Sequence, residues 1–236
     1  MILVEAAVAK TSKYAVSESG DTVELVERPR GGLSLVMADG QRYGHSAKAL
    51  SNMVARKAAS LLAEGVRDGA AARAASDYIL AMRRGQVSAD MVIISTDLET
   101  HTLVVTRNIN SPVILVQNGG LTTIAEPVCA LGTNRLIRPQ ITEVPLQLGM
   151  SVVAFTDGLW EAGSVESVPQ QVPAWMVNLI TEFAFQPQTL ADALLMKAVA
   201  LDSGRPRDDM TVIVLATKEH EEPLDVRRMH VIFPVS

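Results

Sequence analysis

Leu33-Ser34-Leu35-Val36-Met37-Ala38-Asp39-Gly40 decides how the chain is read. An apolar strand-forming run goes straight into a carboxylate followed by glycine, so the acid sits at a strand end. The pattern returns in Val152-Val153-Ala154-Phe155-Thr156-Asp157-Gly158. Two further segments, Gly20-Asp21 and Asp208-Asp209, put acids where an apolar strand begins. One such Asp alone is a turn residue, since Asp bonds its own backbone and Asp-Gly favours turns. Repetition in one geometry changes the reading: where these strands are neighbours, their carboxylates converge.

Working outward, residues 2–9 read as a strand, and 22–28 alternate Val23 and Leu25 with polar neighbours, the period of a half-buried strand. Gly31-Gly32 turns the chain into the Leu33 run. From Ser46 the period changes, with Ala47, Leu50, Val54, Ala58, Leu61 and Leu62 spaced three and four apart. That predicts an amphipathic helix of about five turns. A second helix is predicted over 70–82, its apolar positions Ala74, Tyr78 and Met82, packed antiparallel to the first on one sheet face. Strands return at 90–97, 102–107, 113–117, 121–124, 141–146 and 151–155, read as an antiparallel meander, with Asn118-Gly119 as a hairpin turn. Helices follow at 174–184 and 190–201, then a strand at 210–216. Strands in long runs with helices in pairs argue for a layered α+β fold and not for alternating βαβ units.

The chain has 236 residues, 48% of them hydrophobic and 20% charged, which supports one folded domain over 1–236, with 218–236 as a C-terminal extension in which 225–233 reads as an edge strand. A net charge of −5 disfavours nucleic acid as a partner, and nine aromatic residues give no stacking platform. The N-terminal run lacks the basic flank of a signal peptide, and no apolar run approaches a membrane span. The single Cys129, in the apolar stretch 127–131, reads as an inert buried thiol, consistent with a reducing cytoplasm.

Converging carboxylates repel by roughly 3 kcal/mol per pair at about 5 Å and an effective dielectric of about 20. Several such pairs require cations or protons. Oxygen-only ligands suit Mg²⁺ or Mn²⁺; zinc would call for His or Cys, and His45, His101, His220 and His230 show no ligand spacing. A two-metal oxygen site is the resulting hypothesis, with Gly40 letting a backbone carbonyl approach the same ion.

These residues resemble the metal-dependent protein phosphatases (the PPM, or type 2C, superfamily) and within it the SpoIIE-like serine phosphatases. The matching segments are 18–21, 36–40, 108–112, 155–162 and 207–214, in the family's order. The resemblance implies a four-layer αββα sandwich: two antiparallel sheets flanked by helix pairs. It implies two divalent ions, Mn²⁺ or Mg²⁺, or three. Asp39 would bridge the ions, the Gly40 carbonyl would bind one, Asp157 and Asp208 would hold the other, and Asp21 would act on the metal or its waters. Asp209 would be supporting only. The implied reaction is hydrolysis of phosphoserine or phosphothreonine by water activated between the ions, on a phosphorylated regulatory protein such as an anti-sigma-factor antagonist.

Two departures stand out. Gln41 occupies a position where many relatives carry a general-acid His, leaving His45 or a metal-bound water to protonate the leaving group. Arg42 and Tyr43 replace a smaller turn, and Arg42 is either a solvated loop residue or a clasp for substrate phosphate. The Asn108–Pro112 segment reads as a structural turn. An alternative reading keeps the fold but makes it a weakly active or inactive binding module in a partner-switching pathway. A third makes it a hydrolase of small phosphoesters.

Overall fold

The computed structural model describes residues 2–41, 44–164, 171–220 and 226–232. The elements are β1 (Ile2–Thr11), β2 (Thr22–Glu27), β3 (Gly32–Gly40), α1 (Gly44–Ala63), α2 (Asp68–Arg83), β4 (Ala89–Asp97), β5 (Thr102–Asn108), β6 (Val113–Gln117) and β7 (Gly120–Ile124). They continue with β8 (Gln140–Pro145), β9 (Ser151–Phe155), α3 (Asp157–Trp160), α4 (Ala174–Phe183), α5 (Pro187–Leu201) and β10 (Met210–Glu219).

Among the described residues the strands form two antiparallel sheets, one in the order β2-β3-β4-β5-β8 and the other β1-β10-β9-β6-β7. The expected meander is therefore divided: β4, β5 and β8 join the first sheet, β6, β7 and β9 the second. The reason is visible along β4, where Met91 through Ile94 are all buried. A strand apolar on both faces needs a cover on each. Alternation distributes the side chains accordingly. Leu35, Met37, Val92 and Ile94 meet Val152, Ala154, Ile213 and Leu215 between the sheets. Val36, Ala38, Met91 and Ile93 face α1 and α2, while Val153, Phe155, Val212 and Val214 face α4 and α5. The four layers are thus helix pair, sheet, sheet, helix pair.

The α1 stripe is as expected, with Leu50, Val54, Ala58 and Leu62 buried and Leu61 at its margin. For α2 the expected face is corrected. Tyr78 and Met82 are 39% and 58% exposed, and the buried stripe is Ala71, Ala72, Ala75 and Ile79. Alanines carry little hydropathic contrast but permit close helix packing, whereas Tyr78 lies under Lys57, whose Nζ is 5.9 Å from the ring centroid. Asn118 and Gly119, with φ of 52° and 72°, form the two-residue β6–β7 turn as read.

Two other expectations are corrected. Cys129 is exposed; its segment is anchored through Leu131, fully buried and bridged to Ala89, and through the Cys129 carbonyl, which accepts the Asn108 amide at 2.9 Å. Residues 226–232 contain no strand, and Arg227 instead makes an exposed ion pair with Glu27.

Candidate metal centre

The site begins with register. Thr22 pairs with Ala38, and Asp39 pairs with Asp90, so Asp21, Asp39 and Asp90 form a row across the same end of β2, β3 and β4. Asp39 follows Leu35 and Met37 in alternation, and Asp90 precedes Val92 and Ile94, so both acids project toward the space between the sheets. The opposite sheet adds Asp157, at the start of α3 just beyond β9, and Asp208, just before β10. Four of these five were expected from sequence. Asp90 was not singled out, because its place depends on the β3–β4 register.

The carboxylates act on one another's charge. Burial, and then the charges of Asp21, Asp157, Asp90 and Asp208, push the Asp39 carboxyl up to about 10. Asp21 rises to about 6 through burial, opposed by the Thr211 hydroxyl, with Asp209 adding to the rise. Asp90 also rises to about 6 through burial, opposed by the Asn110 N–H, with Asp157 adding to the rise. Asp157 is raised by burial and then by Glu161, and Asp208 by burial, opposed by the Asp209 N–H. Without cations the group ionises reluctantly near neutrality.

Asp21 supplies the most direct test of whether an ion fits. Its side chain is fully buried, and Oδ2 accepts hydrogen bonds from Thr156 Oγ1 at 3.1 Å and Thr211 Oγ1 at 2.5 Å. Oδ1 has no donor, although the Asp39 carboxyl is within hydrogen-bonding reach. Two carboxylate oxygens satisfy one another only through a shared proton or a cation. The donor set is all oxygen, which fits Mg²⁺ or Mn²⁺. Among the described residues no three His, Cys, Asp or Glu side chains close on a single point.

Glycines make the surrounding turns possible. A Cβ on Gly40 would lie 2.2 Å from the Ala47 carbonyl oxygen, and one on Gly158 would lie 2.2 Å from that of Asp209. Gly40 therefore admits the first turns of α1, a packing reason beyond the expected approach of its own carbonyl to an ion. The Asp209 carboxylate accepts from Lys13 N and Gly20 N, both at 2.9 Å, and so fixes the loop that leads to Asp21. Lys10 and Lys48 both donate to the Asp21 carbonyl.

A cavity of about 190 Å³ opens beside the acids, lined by Asp157, Gly158, Glu161, Asp202, Arg207 and Asp208. Arg207 braces it, donating Nε to Asp202 at 3.0 Å, Nη2 to the Glu161 carbonyl at 2.8 Å and Nη1 to that of Ser164 at 2.5 Å. The larger cavity, about 370 Å³, lies at the other end of the first sheet around Arg28, Asp97 and Glu99. The Arg28 guanidinium there is already paired with Asp68 at 3.0 Å and Asp97 at 3.7 Å, so the smaller cavity is the one that matches the chemistry.

The remaining candidates stand apart. Gln41 accepts from Ser88 N at 3.0 Å and Ser88 Oγ at 2.9 Å, which ties the turn to the start of β4. His45 is 93% exposed, with Nδ1 2.9 Å from Glu18 Oε2. Arg42 and Tyr43 lie outside the described residues. Thr156, Thr211 and Arg207 are site residues that sequence reasoning missed as such. Their signal was only adjacency to the acidic motifs.

With this geometry in place, comparison with known proteins is informative. A curated relative, stage II sporulation protein E of Priestia megaterium, is 21% identical over 94% of this chain, which spans 37% of that protein's length. Among solved structures, the PP2C phosphatase domain of SpoIIE from Bacillus subtilis, with a regulatory fragment, superposes with a TM-score of 0.77 at 20% identity, covering 94% of this chain and 65% of that one. The RsbU and RsbW domains of Rv1364c from Mycobacterium tuberculosis give 0.74 at 19%, covering 94% and 62%. The catalytic domain of the serine/threonine phosphatase PstP, solved with two manganese ions, gives 0.66 at 19%, covering 93% and 100%. These likenesses establish the PP2C phosphatase fold. The family described as "Stage II sporulation protein E (SpoIIE)" matches residues 29–218, and the chain belongs to that family.

Proposed function

We propose that this domain is a Mn²⁺- or Mg²⁺-dependent serine/threonine phosphatase acting on a phosphorylated regulatory protein, of the kind represented by an anti-sigma-factor antagonist. The observation that carries the reading is the convergence of Asp21, Asp39, Asp157 and Asp208 on one space, with a buried Asp21 oxygen that lacks a donor. Asp39, the Gly40 carbonyl, Asp157 and Asp208 would hold two ions, with Asp21 acting on one of them or its waters. Such ions supply Lewis acidity toward the phosphoryl oxygens and ionise water near neutral pH.

The chain's own residues then have defined tasks. Thr156 and Thr211 keep Asp21 oriented and favour its charged form. Asp209 holds the loop before Asp21, and Arg207 with Asp202 holds the wall next to Asp157 and Asp208. Proton delivery to the leaving serine falls to His45 or solvent, because Gln41 has no acidic proton and its oxygen is occupied by Ser88. Arg42 is retained as a candidate phosphate clasp. The context of phosphorylated regulators rests on family membership and on the neighbouring RsbU and RsbW domains.

The deciding experiment is hydrolysis of phosphoserine peptides and an aryl phosphate with Mn²⁺ and with chelator. Turnover should need the metal, and Asp39→Asn or Asp157→Asn should lower it by about 100-fold or more while leaving the fold intact. The exposed His45 and engaged Gln41 favour one second reading, a phosphatase-fold binding module. A folded wild-type chain that is inert with every divalent ion but binds a phosphoprotein would establish it.

A further inference from the structure

We propose that Asp90 is a further carboxylate of the divalent-ion site, acting with Asp39 on the same Mn²⁺ or Mg²⁺ ion. The inference rests on the metal-dependent reading above and adds a residue that the sequence motifs leave unassigned.

Asp39 and Asp90 are direct partners in the β3–β4 ladder and project to the same face, between the sheets. Opposed Cβ atoms in such a pair are about 4.5–5.5 Å apart, and like charges there destabilise the sheet. The ladder nevertheless runs unbroken from Gly32–Asp97 to Gly40–Ala89. The cation whose charge reaches this position is the buried Arg107, which favours the ionised Asp90 without hydrogen-bonding it. The hydrogen bond described for Asp90 is a 3.3 Å contact from the Asn110 N–H to Oδ2, which an asparagine oxygen would accept equally well without repelling Asp39. The neighbouring guanidinium of Arg107 is directed elsewhere, to the carbonyls of Ser111, Asn110 and Glu126 and to Gln140.

A second, independent observation lies on the other side of Asp39. Asp21 is fully buried, and its Oδ1 lacks any donor. Arg107 stands near the Asp90 end of the row, and Lys10 and Lys48 at the backbone of the Asp21 end, but among the described residues none of these three donates to a carboxylate oxygen of the row, and a cation beside the central Asp39 would serve both ends. Asp90 is the one of the three whose side chain is neither fixed by hydroxyls nor part of a family motif.

The test is calorimetric titration of Mn²⁺ into the chelator-stripped chain near neutral pH, for wild type, Asp90→Asn, Asp90→Glu and the exposed α2 control Asp77→Asn. Melting in chelator is measured alongside. Asp90→Asn should weaken Mn²⁺ binding by about 10- to 100-fold, while its metal-free melting temperature stays level or rises as the repulsion is removed. Asp90→Glu should recover part of the affinity, and Asp77→Asn should match wild type. Affinity of Asp90→Asn within about twofold of wild type overturns the inference alone. A lower metal-free melting temperature, or failure to fold, in both Asp90 variants assigns the residue to the fold and also overturns it. A wild-type chain that takes up no Mn²⁺ overturns this inference together with the phosphatase reading.

Discussion

The Asp21 carboxylate is held at one oxygen and bare at the other. Two hydroxyls donate to Oδ2, and that support favours the ionised form against the burial that opposes it. Thr211→Val removes the shorter of the two bonds with little change of shape. Urea denaturation near neutral pH should show a loss of about 1–3 kcal/mol, and a smaller loss near pH 5, where the protonated acid accepts a weaker bond. An equal loss at both pH values would contradict the assigned role.

The acids also set a pH dependence for the metal-free chain. Asp39 stands at about 10 and Asp21 and Asp90 at about 6, against 3.8 when unfolded. Within that window the native state holds more protons than the unfolded one, so raising the pH lowers stability, first through the Asp21 and Asp90 range and then on toward that of Asp39. Melting in chelator should therefore fall steadily from mildly acid to mildly alkaline conditions. Saturating Mn²⁺ should flatten the slope, because the ion-bound native state and the unfolded state are then both ionised over this range. A metal-free melting temperature that is flat or rises over this range would count against the convergence.

At the scale of elements, the close approaches around Gly40 and Gly158 are rigid. Gly158→Ala sets a methyl 2.2 Å from the Asp209 carbonyl oxygen, a backbone atom with no rotamer to yield. Thermal melts should show a cost of about 1–3 kcal/mol or more, with weakened Mn²⁺ binding, since α3 must move away from Asp208. Elements were legible in the sequence where a local signal marks them: α1 repeats at three and four, and Asn118-Gly119 demands positive φ. The β2 alternation marked a strand but not its face, since Leu25 is 43% exposed and the adjacent Val26 is buried. The α2 face was misread because its buried stripe is alanine, while Tyr78 and Met82 lie over its exposed side. Cys129 was misread because an apolar neighbourhood in sequence does not say which of its side chains turns inward; here it is Leu131.

For the whole molecule, the partition of strands between sheets depends on the non-local pairs β5–β8 and β6–β9, which periodicity along the chain does not reveal. The same holds for the site. Asp-Gly motifs marked Asp39 and Asp157, but Asp90 required a register, and Thr156 and Thr211 required the β9–β10 end of one sheet to meet Asp21 at the edge of the other. The opposite end of the first sheet is closed by a buried network in which Arg28 pairs with Asp68, the pair joined by Ser34 and Ser95. Asp68→Ala leaves Arg28 with the longer Asp97 contact as its remaining carboxylate partner, and should destabilise the domain by about 3 kcal/mol in chemical denaturation. A neutral result would mean that Asp97 takes over the charge.

The central claim concerns where a divalent ion sits. Anomalous diffraction from crystals grown with Mn²⁺ tests it without reference to turnover. The account predicts manganese density between the two sheets, bordered by Asp39, Asp157 and Asp208. A structure with these acids apart, or with manganese bound elsewhere and none among them, would contradict it.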